Sequence, residues 1–250
     1  MTRAPVSVQL YSVRDRLAED LEGTLERLAA LGFTAVEPYG VFVVGSDAYA
    51  AALASSGLDA PSAHAGILEL SDPSPAFEAA ASIGVRTVID PALRTDDWET
   101  VAGIARIAER MNRAAEQARG FGLTFGYHNH WWEVEARPNG TPALEQLAAR
   151  LDDGVVLEVD TYWVEVGGIS APDLLARLGD RVRLLHVKDG DKSRDVKRQL
   201  PAGEGAMDVP AVLAAAPTAT RVLEFDDYEG DTIDGLAASL AYLDTVEEGR

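Results

Sequence analysis

The chain has 250 residues, 47% apolar and 25% charged, a balance that suits one large globular domain or two small ones with a substantial core. Its formal net charge of −19 repels phosphate backbones and anionic membrane surfaces, so nucleic acid and membrane are not expected partners. The absence of cysteine excludes disulfides, zinc–thiolate sites and a cysteine nucleophile.

The first six residues lack the apolar core of a secretory signal, and no apolar run approaches the ~18 residues of a membrane span, so a cytoplasmic location is expected. A strand is predicted over residues 6–11. Leu17, Leu21, Leu25, Leu28 and Leu31 then recur at helical spacing, with Gly32 following as a C-cap. Strands over 34–38 and 59–64 precede a helix start marked by Ser71, Asp72 and Pro73. After a strand over 86–90, residues 97–119 place Trp98, Val101, Ile104, Ala108, Met111 and Ala115 on one helical face. Strands over 123–128, 155–160, 182–187 and 221–225 complete a set of eight. Thr141-Pro142 and Ser170-Ala171-Pro172 mark further helix starts. The last helix carries Ile233, Leu236, Leu240 and Leu243. Strands alternating with helices in eight units predict a (β/α)8 TIM barrel, a single α/β domain over residues 1–250. The competing architecture, an open doubly wound sheet, would carry a glycine-rich loop after an early strand, and residues 11–15 contain no glycine.

All four histidines, His64, His128, His130 and His186, fall at or just past predicted strand ends, as do Asp160 and Glu224. In a barrel these ends converge on one mouth. Alternate strand residues share a face, which groups Glu158 with Asp160, His128 with His130, and His186 with Lys188. The polar member nearest the strand's C-terminal end faces the mouth. The predicted metal ligands are therefore Asp160, His186 and Glu224, with His128 as fourth. Mixed nitrogen and oxygen donors suit one divalent ion: Mn²⁺ first, with Zn²⁺, Co²⁺ and Fe²⁺ as alternatives.

The segments YHNHWWE (127–133), LEVDTYW (157–163), LHVKD (185–189) and LEFD (223–226), with VQLYSVRD (8–15) and VEPY (36–39), resemble the strand-end motifs of the xylose-isomerase-like TIM-barrel superfamily. That superfamily holds sugar phosphate isomerases/epimerases, ketose 3-epimerases, inosose dehydratases and endonuclease IV-like proteins. The resemblance implies one divalent metal held by a Glu–Asp–His–Glu set. Asp160, His186 and Glu224 carry over directly. At the strand-five position this chain has His128, as in the His-x-His pattern of the dehydratases, with Glu133 as a substitute ligand. Trp163 stands where the epimerases have a second histidine.

The chemistry expected is a metal-bound enediolate formed from a ketose or related polyol. Glu224, His128, His130 and His64 are the candidate acids and bases, and Lys188 would support developing negative charge. Glu37, His130, Glu133, Trp131, Trp163 and Lys188 are candidate substrate contacts, with Trp132 and Tyr162 as further pocket walls. The 201–205 loop is a candidate cover. The lead expectation is a metal-dependent sugar isomerase or epimerase. Alternatives are an inosose dehydratase-like or 3-keto-sugar lyase, a non-catalytic sugar-binding barrel and, suggested by fold alone, an abasic-site endonuclease, against which the charge argues. The expected partners are a small-molecule sugar or polyol substrate and a second copy of the chain in a homo-oligomer.

Overall fold

Eight short parallel strands return on themselves in the computed structural model, which describes residues 6–40 and 45–248. They are β1 (Val6–Gln9), β2 (Ala35–Glu37), β3 (Ser62–His64), β4 (Thr87–Asp90), β5 (Thr124–His128), β6 (Val155–Asp160), β7 (Val182–Val187) and β8 (Thr220–Leu223). Paired order runs β2-β1-β8-β7-β6-β5-β4-β3, and the parallel bridges Ala35–Asp59 and Tyr39–His64 join β2 to β3. This is the predicted (β/α)8 barrel. The reading of residues 1–5 lies outside the described residues. Among the described residues, no helix is long and apolar enough to cross a membrane.

The element boundaries differ from expectation where polar side chains intervene. The leucine repeat forms two helices, Arg14–Glu19 and Leu21–Ala30, because Asp20 is extended (φ −155°, ψ 95°) and its side chain accepts from Gly23 N at 2.9 Å as the second helix's N-cap. Residues 97–119 likewise divide into a 3₁₀ turn, Asp96–Glu99, and a helix, Val101–Arg119, capped by Thr100, whose hydroxyl accepts from Gly103 N. Leu10 and Tyr11 leave β1 for a 3₁₀ turn in which the Gln9 side chain accepts from Tyr11 N at 3.1 Å. Glu224 and Phe225 lie just past β8. Ser170 caps the helix Ala171–Leu178 through its side chain, whereas at Ala143–Ala148 the N-cap is Pro142 and there is no side-chain cap.

The core has two parts. Outside the barrel, Val8, Val36, Phe125, Leu157, Val159 and Leu185 pack with the helical residues Leu25, Leu28, Ile104 and Leu174 in one large buried cluster. Inside lies a small apolar plug of Ile89, Leu184 and Val222, with Val156 against it. Gly126 faces this plug. A Cβ there would stand 2.6 Å from Ile89 Cδ1 and 2.8 Å from Val156 Cγ2, so only glycine lets β5 approach.

Candidate functional site

Each site strand steps from apolar to ionisable along one face. On β6 the inward series is Val156, Glu158, Asp160; on β7 and just beyond, Leu184, His186, Lys188; on β8 and beyond, Val222, Glu224. Registry sets Asp160 beside His186 and His186 beside Val222. Two charged clusters thus stack above the plug.

The lower cluster centres on one carboxylate oxygen, Glu158 Oε2. His64 Nε2 lies 2.6 Å from it, His128 Nδ1 3.1 Å and His186 Nε2 3.1 Å. Glu37 Oε1 lies 3.1 Å from His64 Nε2 and 3.0 Å from His186 Nε2. Glu37 also accepts from Gln9 Nε2 at 2.7 Å and from the Ser62 hydroxyl. Burial alone would favour neutral rings. The Glu37 and Glu158 carboxylates override it at His64, raising its pKa to about 10. The His64 and His186 rings lie parallel, 5.2 Å apart. Burial and the neighbouring charge on His186 hold His128 well below the usual imidazole range. Burial opposes the charge on Glu158, as does Glu37, yet His186 and His64 bring its pKa to about 2.

The upper cluster inverts this arrangement. Lys188 Nζ, 3% exposed as a residue, lies 2.8 Å from Asp160 Oδ2, 2.7 Å from Glu224 Oε2 and 2.7 Å from Asp226 Oδ2. His186 Nδ1 meets Glu224 Oε2 at 2.7 Å, and His128 Nε2 stands 3.7 Å from Asp160 Oδ2. His186 therefore has an acceptor at each nitrogen, as an imidazolium requires, and its pKa is raised well above the usual range against the pull of burial. Burial works against the Glu224 charge, but Lys188 and His186 hold its pKa well below the carboxylate norm. At Asp160 burial outweighs Lys188, and the pKa rises to about 6. Asp160 Oδ1 accepts from Trp163 N at 3.0 Å and caps the helix Thr161–Val166. Asn129 fastens β5 to β6 by accepting from Asp160 N at 3.1 Å and donating to Asp160 O at 3.4 Å.

Among the described residues, two groups could hold a metal ion, each with ligand atoms within 4.8 Å of one another: Asp160, His186 and Glu224 above, and His64, His128, Glu158 and His186 below. A cavity of about 400 Å³ opens over them, lined by Tyr11, Tyr39, His64, His128, His130 and Glu224 among others. A larger hollow of about 520 Å³ lies outside the barrel at the exposed Arg16–Asp231 pair, with no imidazole in its lining.

The remaining sequence candidates sit behind this cavity rather than in its wall. Glu37 and Glu133 are wholly buried, and Lys188 and Trp163 nearly so. Glu133 accepts from the Tyr127 hydroxyl and from His130 N, and burial raises its pKa to about 7; it supports the strand end and belongs to neither ligand group. Trp132 stacks on His130 at 4.2 Å, with the Arg94 guanidinium over the Trp132 ring, while Trp131 packs against Trp132 and Trp163. Tyr162 is buried with its hydroxyl bonded to Ser193. The 201–205 loop is fastened: Gly203 N donates to Asp189 Oδ2 at 2.9 Å and Ala202 N to Ser239 Oγ at 3.0 Å.

Sequence reasoning missed Glu158 as a site residue, along with Gln9, Ser62, Asn129, Asp226, Tyr11 and Tyr39. The period of two carried the signal for Glu158, Gln9 and Ser62, which share inward faces with site residues one layer up.

The model of the xylose isomerase-like TIM barrel family matches residues 25–243. The chain belongs to this family. No curated protein matches it. Among solved structures, a sugar phosphate isomerase/epimerase from Parabacteroides distasonis ATCC 8503 superposes with a TM-score of 0.81 at 24% identity, covering 97% of this chain and 94% of that one. The IOLI protein with a bound zinc atom gives 0.76 at 14%, covering 97% of each chain. A probable 3-DHS dehydratase, AsbF, from Bacillus anthracis gives 0.76 at 13%, covering 96% of this chain and 98% of that one. At these identities the likeness establishes the barrel, and the family's chemistry reaches this chain only through its own side chains.

Proposed function

We propose that the protein is a divalent-metal-dependent isomerase or epimerase of a ketose or related polyol. The observation that carries this reading is the group Asp160, His186 and Glu224 beneath a cavity of about 400 Å³ whose wall also holds His64, His128 and His130. The donors fit a cation. The Lys188 ammonium lies within 2.8 Å of both Asp160 and Glu224, so the space between these carboxylates accepts positive charge. Mixed oxygen and imidazole donors, with His128 as the fourth, suit Mn²⁺ and also Zn²⁺, Co²⁺ or Fe²⁺. Such an ion, when bound, supplies Lewis acidity that makes the proton beside a carbonyl removable and favours an enediolate.

The protein's own groups do the rest. Glu224, kept ionised by Lys188 and His186, takes the proton. The protonated Glu224 then delivers that proton to the neighbouring carbon, while His128, kept neutral by burial and the adjacent charge, keeps a lone pair with which it would hold the ion. Lys188 stays charged and offsets negative charge as it develops. His130 lines the cavity as the candidate contact for a substrate hydroxyl.

One observation favours a second reading, elimination from an inosose or 3-keto sugar. Strand five supplies the imidazoles His128 and His130 to the cavity and no carboxylate, an arrangement suited to one carboxylate base and an imidazole assisting departure of a hydroxyl or glycosyloxy group.

The test is incubation of the Mn²⁺-loaded protein in D₂O with ketoses, inososes and 3-keto sugars. Deuterium entering the carbon beside the carbonyl, lost in Glu224→Gln with sugar binding retained, supports proton abstraction. Epimer or isomer formation supports the first reading, and loss of water or new ultraviolet absorbance the second. Binding without exchange across the panel would leave a non-catalytic sugar-binding barrel.

A further inference from the structure

His128 and His186 each turn one ring nitrogen toward the upper cluster and the other toward the lower. His128 uses Nε2 above, 3.7 Å from Asp160, and Nδ1 below, 3.1 Å from Glu158. His186 uses Nδ1 above, 2.7 Å from Glu224, and Nε2 below, 3.1 Å from Glu158. His64 Nε2 completes the lower set at 2.6 Å from the same Glu158 oxygen. Three imidazole nitrogens therefore converge on one carboxylate. The other oxygen, Glu158 Oε1, is buried and accepts no hydrogen bond from the described residues.

The clusters differ in how their negative charge is met. The upper carboxylates have a resident cation in Lys188. Among the described residues, no lysine or arginine forms an ion pair with Glu37 or Glu158, and their ion-pair partners are imidazoles alone. Two carboxylates whose charge is met only by titratable rings are matched by one divalent ion. His64 and His128 also line the cavity, which supplies an entry path.

We propose that the barrel holds a second cation site beneath the first, in which His64, His128, His186 and Glu158 take a divalent ion of the zinc or cobalt type. Three nitrogens and one carboxylate oxygen form a four-ligand set of the kind zinc and cobalt accept, whereas the upper, oxygen-rich set leans toward manganese. The site goes beyond the catalytic reading, which draws on the opposite nitrogens of the same two rings; a neutral imidazole offers one lone pair, so the two ions bind as alternatives unless both rings release their second proton to solvent and bridge as imidazolates.

The probes are Zn²⁺, followed by metal analysis, and Co²⁺, followed by its visible absorption, on the full chain. In the Asp160→Asn/Glu224→Gln double variant, one tight equivalent should remain, with the strong bands of four-coordinate cobalt. His64→Gln and Glu158→Gln should each lose those bands and weaken Zn²⁺ binding at least tenfold. The wild-type spectrum provides a check that needs no variant to fold: weak six-coordinate bands alone, at every Co²⁺ loading, overturn the site. Full retention of Zn²⁺ and of the spectrum in both His64→Gln and Glu158→Gln would also overturn it. Failure of the catalytic reading would appear separately, as an absence of deuterium exchange with metal bound.

Discussion

The two halves of the barrel interior are built on the same strands by opposite means. The lower half is a plug of Ile89, Leu184 and Val222, held by contact alone. The upper half, one or two inward positions further along, contains Glu37, Glu158, Asp160 and Glu224 with His64, His186 and Lys188, nearly all without solvent contact. Apolar packing tolerates small defects at modest cost. A buried charge network does not, because each member removed strands the others. The lower half therefore gives the barrel its shape, and the upper half spends stability on reactive groups.

Removing the upper half's lysine should break this arrangement most severely. Lys188→Met leaves Asp160, Glu224 and Asp226 without their shared cation, and a loss of ~3–5 kcal/mol is expected in metal-free denaturant unfolding. Asp90 sharpens the contrast between paired and unpaired carboxylates. It ends β4 with no cation bonded to it among the described residues, Oδ2 accepting from Leu68 N at 2.8 Å, and burial raises its pKa to about 7. The folded value lies above the unfolded one, ~3.9. Its contribution is therefore full below about pH 4 and lost as pH rises through about 7. Asp90→Asn should remove that loss, gaining on wild type by on the order of 2–4 kcal/mol between pH 4 and pH 8 in paired unfolding curves. An unchanged gap across that range would show Asp90 to be ionised without penalty.

In the lower half, Gly126→Ala drives a methyl into Ile89 and Val156 and should cost ~1–3 kcal/mol in thermal unfolding, with metal binding affected only through movement of His128. Ser62→Ala removes one hydroxyl donor from Glu37 while Gln9 and two imidazoles remain, and ~1–2 kcal/mol is expected. A Gly126 effect larger than that of Lys188→Met would reverse the ranking of the two halves.

The same contrast explains what could be read from the sequence. All eight strands were legible because apolar runs ended in polar groups at regular intervals, and those polar groups marked the mouth. Asp160, His186 and Glu224 were found as a set by that rule and do come together. Choosing the polar residue nearest each strand's C-terminal end discarded Glu158, since nothing local distinguishes a carboxylate that organises three rings from one that sits behind a neighbour. Lys188 read as a free cation facing substrate because its three acidic partners lie on two other strand ends and a loop. The leucine repeat concealed the break at Asp20 because the helices on either side continue the same apolar spacing. Trp163 and Tyr162 had the composition of a sugar platform, but their positions at the start of a buried helix direct them into the core.

The barrel's closure leaves one seam with sparse backbone stitching. Between β2 and β3 the described main-chain bonds are Val36 N to Asp59 O, Asp59 N to Thr34 O and His64 N to Pro38 O. Glu37 and His64 stand on opposite sides of that seam, 3.1 Å apart. A ring of strands that opens anywhere opens first where its ladder is thinnest, and here the parting edges would carry the Glu37–His64 contact with them. Amide exchange at Val36 and His64 thus reports on the integrity of the charged interior, and whatever binds there also acts as the clasp of the cylinder.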